Sequence, residues 1–67
     1  MKEVIDDLED MILFIRFSGI DKETACEMLE SPWEIVRKRE AVAMRKLRRA
    51  GYSDAEIRDH YTGRGRG

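Results

Sequence analysis

Helix start and stop signals divide this sequence into four segments, and they constrain its fold more than any other feature. Residue types that accept hydrogen bonds from the first turn of a helix precede three of the segments: Asp21, Ser31 and Ser53. Glycines that can take the left-handed conformation found after a helix follow the first and third segments: Gly19 and Gly51. We therefore predict an all-α bundle of four helices over residues 2–17, 22–30, 32–50 and 54–61.

Two of these start signals are predicted to be capping boxes. A serine followed three residues later by a glutamate allows each side chain to bond the backbone N–H of the other residue. Ser31 and Glu34 have this spacing, and Pro32 between them fits the first position of a helix. Ser53 and Glu56 repeat the spacing before the fourth segment. The third and fourth helices should therefore begin directly after these serines.

The apolar residues of the first segment recur at i, i+3 or i+4, and i+7, so one side of that helix should face a core. Together with apolar positions of the other segments they predict the following core: Ile5, Leu8, Ile12, Ile15, Ile20, Ala25, Leu29, Trp33, Val36, Met44, Leu47, Tyr52 and Ile57. Leu13, Phe14 and Phe17 lie off that stripe and exceed what so small a core can absorb. We expect these three residues to form the interface of a homodimer.

The 67-residue chain is predicted to form one helical domain over residues 1–61, followed by a flexible Gly/Arg tail over residues 62–67. Its formal net charge is only −1. Residues 1–34, however, contain ten acids and three bases, a balance of −7, and residues 35–67 contain ten bases and four acids, a balance of +6. Two oppositely charged halves indicate a patterned surface, unless the halves neutralise each other in the fold.

Patterns that would support catalysis or metal binding are lacking in the sequence. Cys26 and His60 are the only residues of their kinds, and no Cys/His spacing suggests zinc. There is neither a phosphate loop nor a nucleophile elbow. We expect a binding protein and not an enzyme, with no cofactor, metal or small-molecule substrate. The longest apolar run, residues 11–15, follows acids and is too short for a secretory signal or a membrane span, so a cytoplasmic location is expected.

The third segment concentrates the basic residues. When its residues are placed about 100° apart around a helix axis, seven bases cover the side opposite the apolar positions: Arg37, Lys38, Arg39, Arg45, Lys46, Arg48 and Arg49. A basic helix face of this kind suits the phosphate backbone of a nucleic acid. Two alternatives stay open at this point: a solvated face without a ligand, and a face that pairs with the acidic first helix of the same chain or of a neighbouring copy.

Residues 20–40 resemble the helix-turn-helix segment of DNA-binding proteins. In that family a short helix with a buried small residue, here Ala25, and an apolar residue four positions later, here Leu29, precedes a tight turn. The helix after the turn continues with a β-branched anchor and then bases, here Ile35 or Val36 and then Arg37, Lys38 and Arg39.

The resemblance implies that the third helix enters the major groove of DNA. Four residues of its first turns are then implied to contact base edges or the groove: Trp33, Glu34, Arg37 and Lys38. Later bases are implied to contact phosphates: Arg45, Lys46, Arg48 and Arg49. Arg64 and Arg66 of the tail would add nucleic-acid contacts. The function implied is that of a small DNA-binding transcriptional regulator of bacterial or phage character.

The alternative function is a protein–protein interaction module, such as a small phage or accessory protein that inhibits or adapts a larger protein partner. Its active surface would be the acidic first helix, with Asp6, Asp7 and Asp10, alone or together with Phe14 and Phe17. The bases of the third helix would then form salt bridges within the chain or with the partner.

Overall fold

Four α-helices account for most of the computed structural model, which describes residues 3–63. The helices are α1 (Asp7–Phe17), α2 (Lys22–Leu29), α3 (Trp33–Arg49) and α4 (Asp54–Thr62). No strand occurs within residues 3–63. The all-α, four-helix architecture predicted from the sequence is therefore confirmed, with most helix ends within one residue of their predicted positions.

The start of α1 differs from its prediction by five residues. Asp6 is the N-cap, and its carboxylate accepts a hydrogen bond from the Glu9 backbone N–H at 2.7 Å. The Glu9 side chain in turn accepts from the Asp6 backbone N–H at 3.0 Å, which completes a capping box. The predicted start at residue 2 is wrong because the helix begins directly after this capping box, which two acids form instead of a serine and a glutamate.

The connection between α2 and α3 contains a second departure. Glu30 has a left-handed backbone with φ of 50°, and it is the single non-glycine residue with positive φ among residues 3–63. Ser31 Oγ donates a hydrogen bond back to the Leu29 carbonyl oxygen at 3.1 Å. Pro32 is the N-cap of α3 and has no side-chain cap bond. The predicted Ser31–Glu34 capping box is therefore wrong, because the serine hydroxyl is directed to the end of α2.

The start of α4 confirms the other predicted capping box. Ser53 Oγ accepts from the Glu56 backbone N–H at 3.1 Å, and Glu56 accepts from the Ser53 backbone N–H at 2.9 Å. The helix continues to Thr62, one residue beyond its predicted end, and Gly63 follows in the left-handed conformation with φ of 73°. Residues 64–67 of the predicted tail lie outside the described residues.

Helix α1 is central, since it packs against α2, α3 and α4. Buried apolar side chains from all four helices and from the turn before α1 form the core: Ile5, Ile12, Leu13, Ile15, Ala25, Val36, Ala43, Leu47 and Ile57. Seven of these nine were predicted. Leu8, by contrast, is 40% exposed. Its predicted burial is wrong because Leu8 lies one turn before Ile12, where no neighbouring helix covers it.

The expected dimer residues divide into three environments. Leu13 is fully buried in the cluster formed by α1, α3 and α4, so it cannot contact a second subunit in this fold. Phe17 packs against the same cluster, and its ring stacks on Tyr61 with a centroid distance of 6.0 Å. Only Phe14, at 52% exposed, remains available on the surface. Helix α4 supplies the cover that the sequence reasoning assigned to a second copy.

Candidate nucleic-acid interface

Helix α3 has a buried side and a basic side. Val36, Ala43 and Leu47 are its buried residues, and they face α1 and the core. All seven of its basic residues are exposed. Their availability for a ligand depends on which of them already have partners within the chain.

Lys46 is held by an acid of α1. Its Nζ donates to both carboxylate oxygens of Glu9, each at 3.0 Å. The Glu9 side chain is only 5% exposed, whereas that of Lys46 is 46% exposed. A buried carboxylate requires a partner to offset its desolvation, so Lys46 has a structural role and is a poor phosphate contact.

Arg48 is held by the first residue of α4. Its Nε and Nη2 atoms donate to the two carboxylate oxygens of Asp54 at 2.8 and 3.2 Å. The hydrogen bond and the charge of Asp54 raise the pKa of Arg48. The hydrogen bond from Arg48 likewise lowers the pKa of Asp54. This two-point pairing directs the Arg48 guanidinium towards α4.

The other bases of α3 make no hydrogen bond or ion pair with another residue in the described part of the chain: Arg37, Lys38, Arg39, Arg45 and Arg49. The exposed acid Glu34 lies beside two of them. Glu34, Arg37, Lys38 and Ala41 line a shallow hollow of about 350 Å³. The structure therefore brings three of the predicted groove-contacting residues together.

Trp33 lies apart from that hollow. Its side chain is half-buried and lines a cleft between α1, α2 and α3. The ammonium of Lys22 lies 5.9 Å from the centre of its ring. Arg64 and Arg66, the remaining predicted nucleic-acid contacts, lie outside the described residues. The candidate interface among residues 3–63 is therefore the free basic face, which we define as Arg37, Lys38, Arg39, Arg45 and Arg49.

The acids of α1 are engaged within the molecule. Asp6 caps the helix, and Asp10 accepts a hydrogen bond from the Tyr61 hydroxyl at 2.7 Å. Burial, together with that bond and the Asp10 charge, raises the pKa of Tyr61. Asp7 also has a partner. The three acids predicted as one partner surface therefore have separate structural contacts.

The two charged halves neutralise each other only in part. Glu9 with Lys46 and Arg16 with Glu40, the latter at 3.2 Å, are the ion pairs between them among the described residues. The sequence analysis did not predict the burial of Glu9 or the exposure of Leu8 and Met11, which form an apolar ridge together with the expected surface residue Phe14. The spacing of that ridge, i, i+3 and i+6, was visible in the sequence.

No family model matches the chain, and no curated protein or solved structure matches it significantly. Within residues 3–63 there is no group of three or more residues suited to hold a metal ion. None of the described helices has the length and apolar character needed to cross a membrane. Function is therefore inferred from the residues of the fold themselves.

Proposed function

We propose that the protein binds duplex DNA through the free basic face of α3 and acts as a small helix-turn-helix-like transcriptional regulator of bacterial or phage character. The observation that carries this proposal is that five exposed bases of one helix have no partner among the described residues. Five unpaired cations on one helix repel one another. A polyanion that lies along the helix would remove that repulsion.

The distribution of the five bases fits an extended anion. They span residues 37–49, about 18 Å along a helix axis at 1.5 Å per residue. Ala41 lies on the exposed side between Lys38 and Arg45, where its small side chain leaves room for close approach. At about 100° per residue, Lys38, Arg45 and Arg49 share one stripe of the helix, and Arg37 and Arg39 flank that stripe on opposite sides. Phosphates spaced along a backbone can meet the stripe, whereas a single small anion would engage only one end of it.

The arrangement of α2 and α3 supports the helix-turn-helix part of the proposal. Three residues separate Leu29 from Trp33, and the left-handed Glu30 turns the chain between the helices. Helix α2 packs on α3, and α1 packs on both. The basic face is thus presented by a helix that is supported from behind by two others, as base or backbone recognition requires.

The first experiment measures the binding of the full chain to labelled random-sequence duplex DNA by fluorescence anisotropy. Titrations between roughly 50 and 200 mM salt give the number of phosphates neutralised. With all five bases engaged, the logarithm of the association constant should fall with the logarithm of salt concentration at a slope of about −4.5. The absence of binding even at the lowest salt concentration would overturn the proposal.

A matched pair of variants locates the surface. Replacing Arg37 and Lys38 together with glutamine should weaken binding at least tenfold and reduce the salt slope by about 2. Replacing Arg16 and Arg48 with glutamine removes the same total charge from bases that already have acid partners. This control should stay within about threefold of the original affinity. Equal losses in both variants would mean that net charge, and not the face of α3, governs binding.

A specific observation favours a second candidate function, binding of a protein partner. Leu8, Met11 and Phe14 form an apolar ridge on the solvent side of α1, each residue being 40% to 52% exposed. Such a ridge is a typical contact for a partner helix, and a second copy of this chain is one such partner. Replacing Met11 and Phe14 with glutamate should abolish an association seen by sedimentation at high protein concentration. If the original chain sediments as a monomer at high protein concentration, the homodimer hypothesis is ruled out.

A further inference from the structure

The cleft that Trp33 lines lies between α1, α2 and α3. Its volume is about 380 Å³, which falls within the range of small-molecule sites. Its apolar residues are Ile12, Ile15, Ile20, Ala25, Trp33 and Val36. Of these, Ile20 and Trp33 are partly exposed, whereas the other four are buried beneath them in the core. Three charged residues complete the lining: Arg16, Arg37 and Glu40.

The charges at the cleft do not balance. Arg16 and Glu40 form an ion pair at 3.2 Å and neutralise each other. Arg37 has no hydrogen bond or ion pair among the described residues, so its guanidinium is available. Lys22 adds a further positive charge nearby, since its ammonium lies 5.9 Å from the centre of the Trp33 ring. The cleft therefore combines apolar walls with an unpaired cation at its edge.

We propose that this cleft binds a small amphipathic carboxylate, with its apolar body against Ile20 and Trp33 and its carboxylate on Arg37. A guanidinium can donate two parallel hydrogen bonds to a carboxylate, which gives both orientation and preference for that group. The half-buried Trp33 supplies a broad apolar surface for an aromatic or aliphatic body. An amine of the same shape would meet Arg37 with like charge and should be excluded.

The single tryptophan of the chain provides the measurement, because Trp33 lies in the cleft wall. We would titrate the full chain, without DNA, with 4-phenylbutyrate and separately with 4-phenylbutylamine. Trp33 fluorescence and the shift of its indole N–H resonance would be followed. The carboxylate should bind saturably, with a Kd on the order of 1 mM for so small a ligand. The amine should bind at least tenfold more weakly.

Two substitutions on α3 test the role of Arg37. Arg37→Gln should weaken binding of 4-phenylbutyrate at least fivefold and should strengthen that of 4-phenylbutylamine, because the charge that repels the amine is removed. Arg45→Gln removes the same charge from a residue of the same helix that does not line the cleft, and it should change neither affinity.

Three results would overturn the proposal. These are the absence of saturable binding of either compound, equal affinity for the carboxylate and the amine, and equal weakening by Arg37→Gln and Arg45→Gln. The third result would mean that 4-phenylbutyrate responds to the general positive charge of α3. Because all of these titrations are made without DNA, their outcome is independent of whether α3 binds a nucleic acid.

Discussion

Helices α1 and α3 carry opposite charges, but their charged residues are used differently. In α1, Asp6 and Glu9 bond backbone N–H groups, and Asp10 bonds the Tyr61 hydroxyl. In α3, five of seven bases have no partner within the described residues. Carboxylates at the start of a helix find unpaired backbone donors nearby. Arginine and lysine in the middle of a helix find no such groups, so their charge stays available for a ligand.

The largest expected effect on the free energy of unfolding is that of a substitution at Glu9 in α1. The Glu9 carboxylate is almost fully buried and accepts hydrogen bonds from the Asp6 backbone N–H and from Lys46 Nζ. Glu9→Ala removes this acceptor and leaves both donors without it. We expect a loss of about 2 kcal/mol in the free energy of unfolding, measured by urea denaturation. Glu34→Ala, at an exposed acid of α3, is the control and should stay within about 0.5 kcal/mol. Equal effects would contradict a structural role for the α1 acids.

Substitutions at the starts of the same two helices should have a smaller effect on the free energy of unfolding. Asp6→Ala removes the N-cap of α1 and should reduce the free energy of unfolding by about 1 kcal/mol. Ser31→Ala should cost less than half of that, since Ser31 does not cap α3 and its hydroxyl bonds the Leu29 carbonyl. Urea denaturation of both variants decides between the observed turn and the capping box predicted from the sequence. A larger loss for Ser31→Ala would favour the capping box.

Acid should weaken the fold through its capping and paired carboxylates. Hydrogen bonds lower the pKa of three of them: those from Thr24 for Asp21, from Arg48 for Asp54 and from Ser53 for Glu56. A pKa that is lower in the folded state contributes stability above the unfolded value, about 4, and this contribution is lost as pH falls through the folded value. The thermal midpoint should therefore decline as pH is lowered below about 4.

A substitution at Asp21 isolates its share of this pH dependence. Asparagine can cap a helix but does not titrate. The thermal midpoint of Asp21→Asn at neutral pH should therefore be close to that of the original chain. Between neutral pH and acid, the midpoint of the variant should fall by less than that of the original chain. An unchanged acid profile would show that the hydrogen bonds from Thr24 make no contribution to the pH dependence.

The smallest effects are expected on the free basic face. Replacing Arg39 and Arg49 with glutamine should change the free energy of unfolding by no more than about 0.5 kcal/mol. At low salt the double substitution should increase the free energy of unfolding, because it relieves the mutual repulsion of the bases. This increase should be smaller at about 200 mM salt, where the Debye length is below about 10 Å. Chemical denaturation at two salt concentrations measures this. A large destabilisation would mean that these bases have a structural role.

The sequence by itself determined the number and kind of the helices. Asp21, Ser53 and the glycines after α1 and α3 are local signals, and a cap or a left-handed turn depends mainly on residues within one helical turn of it. The cluster of bases on α3 was equally visible, because helical periodicity fixes the angle at which each side chain leaves the axis.

Only the tertiary structure decided which of those residues were buried or paired. Leu8 was expected in the core but is exposed, whereas Leu13 was expected at a dimer interface but is buried in the core. Periodicity gives the angle of a residue on its own helix but not the position of a neighbouring helix. The same limit applies to charge. Glu9 and Lys46 are 37 positions apart, and their ion pair depends on how α1 packs against α3. Local sequence determines local hydrogen bonds, whereas contacts between distant residues exist only once the helices have packed.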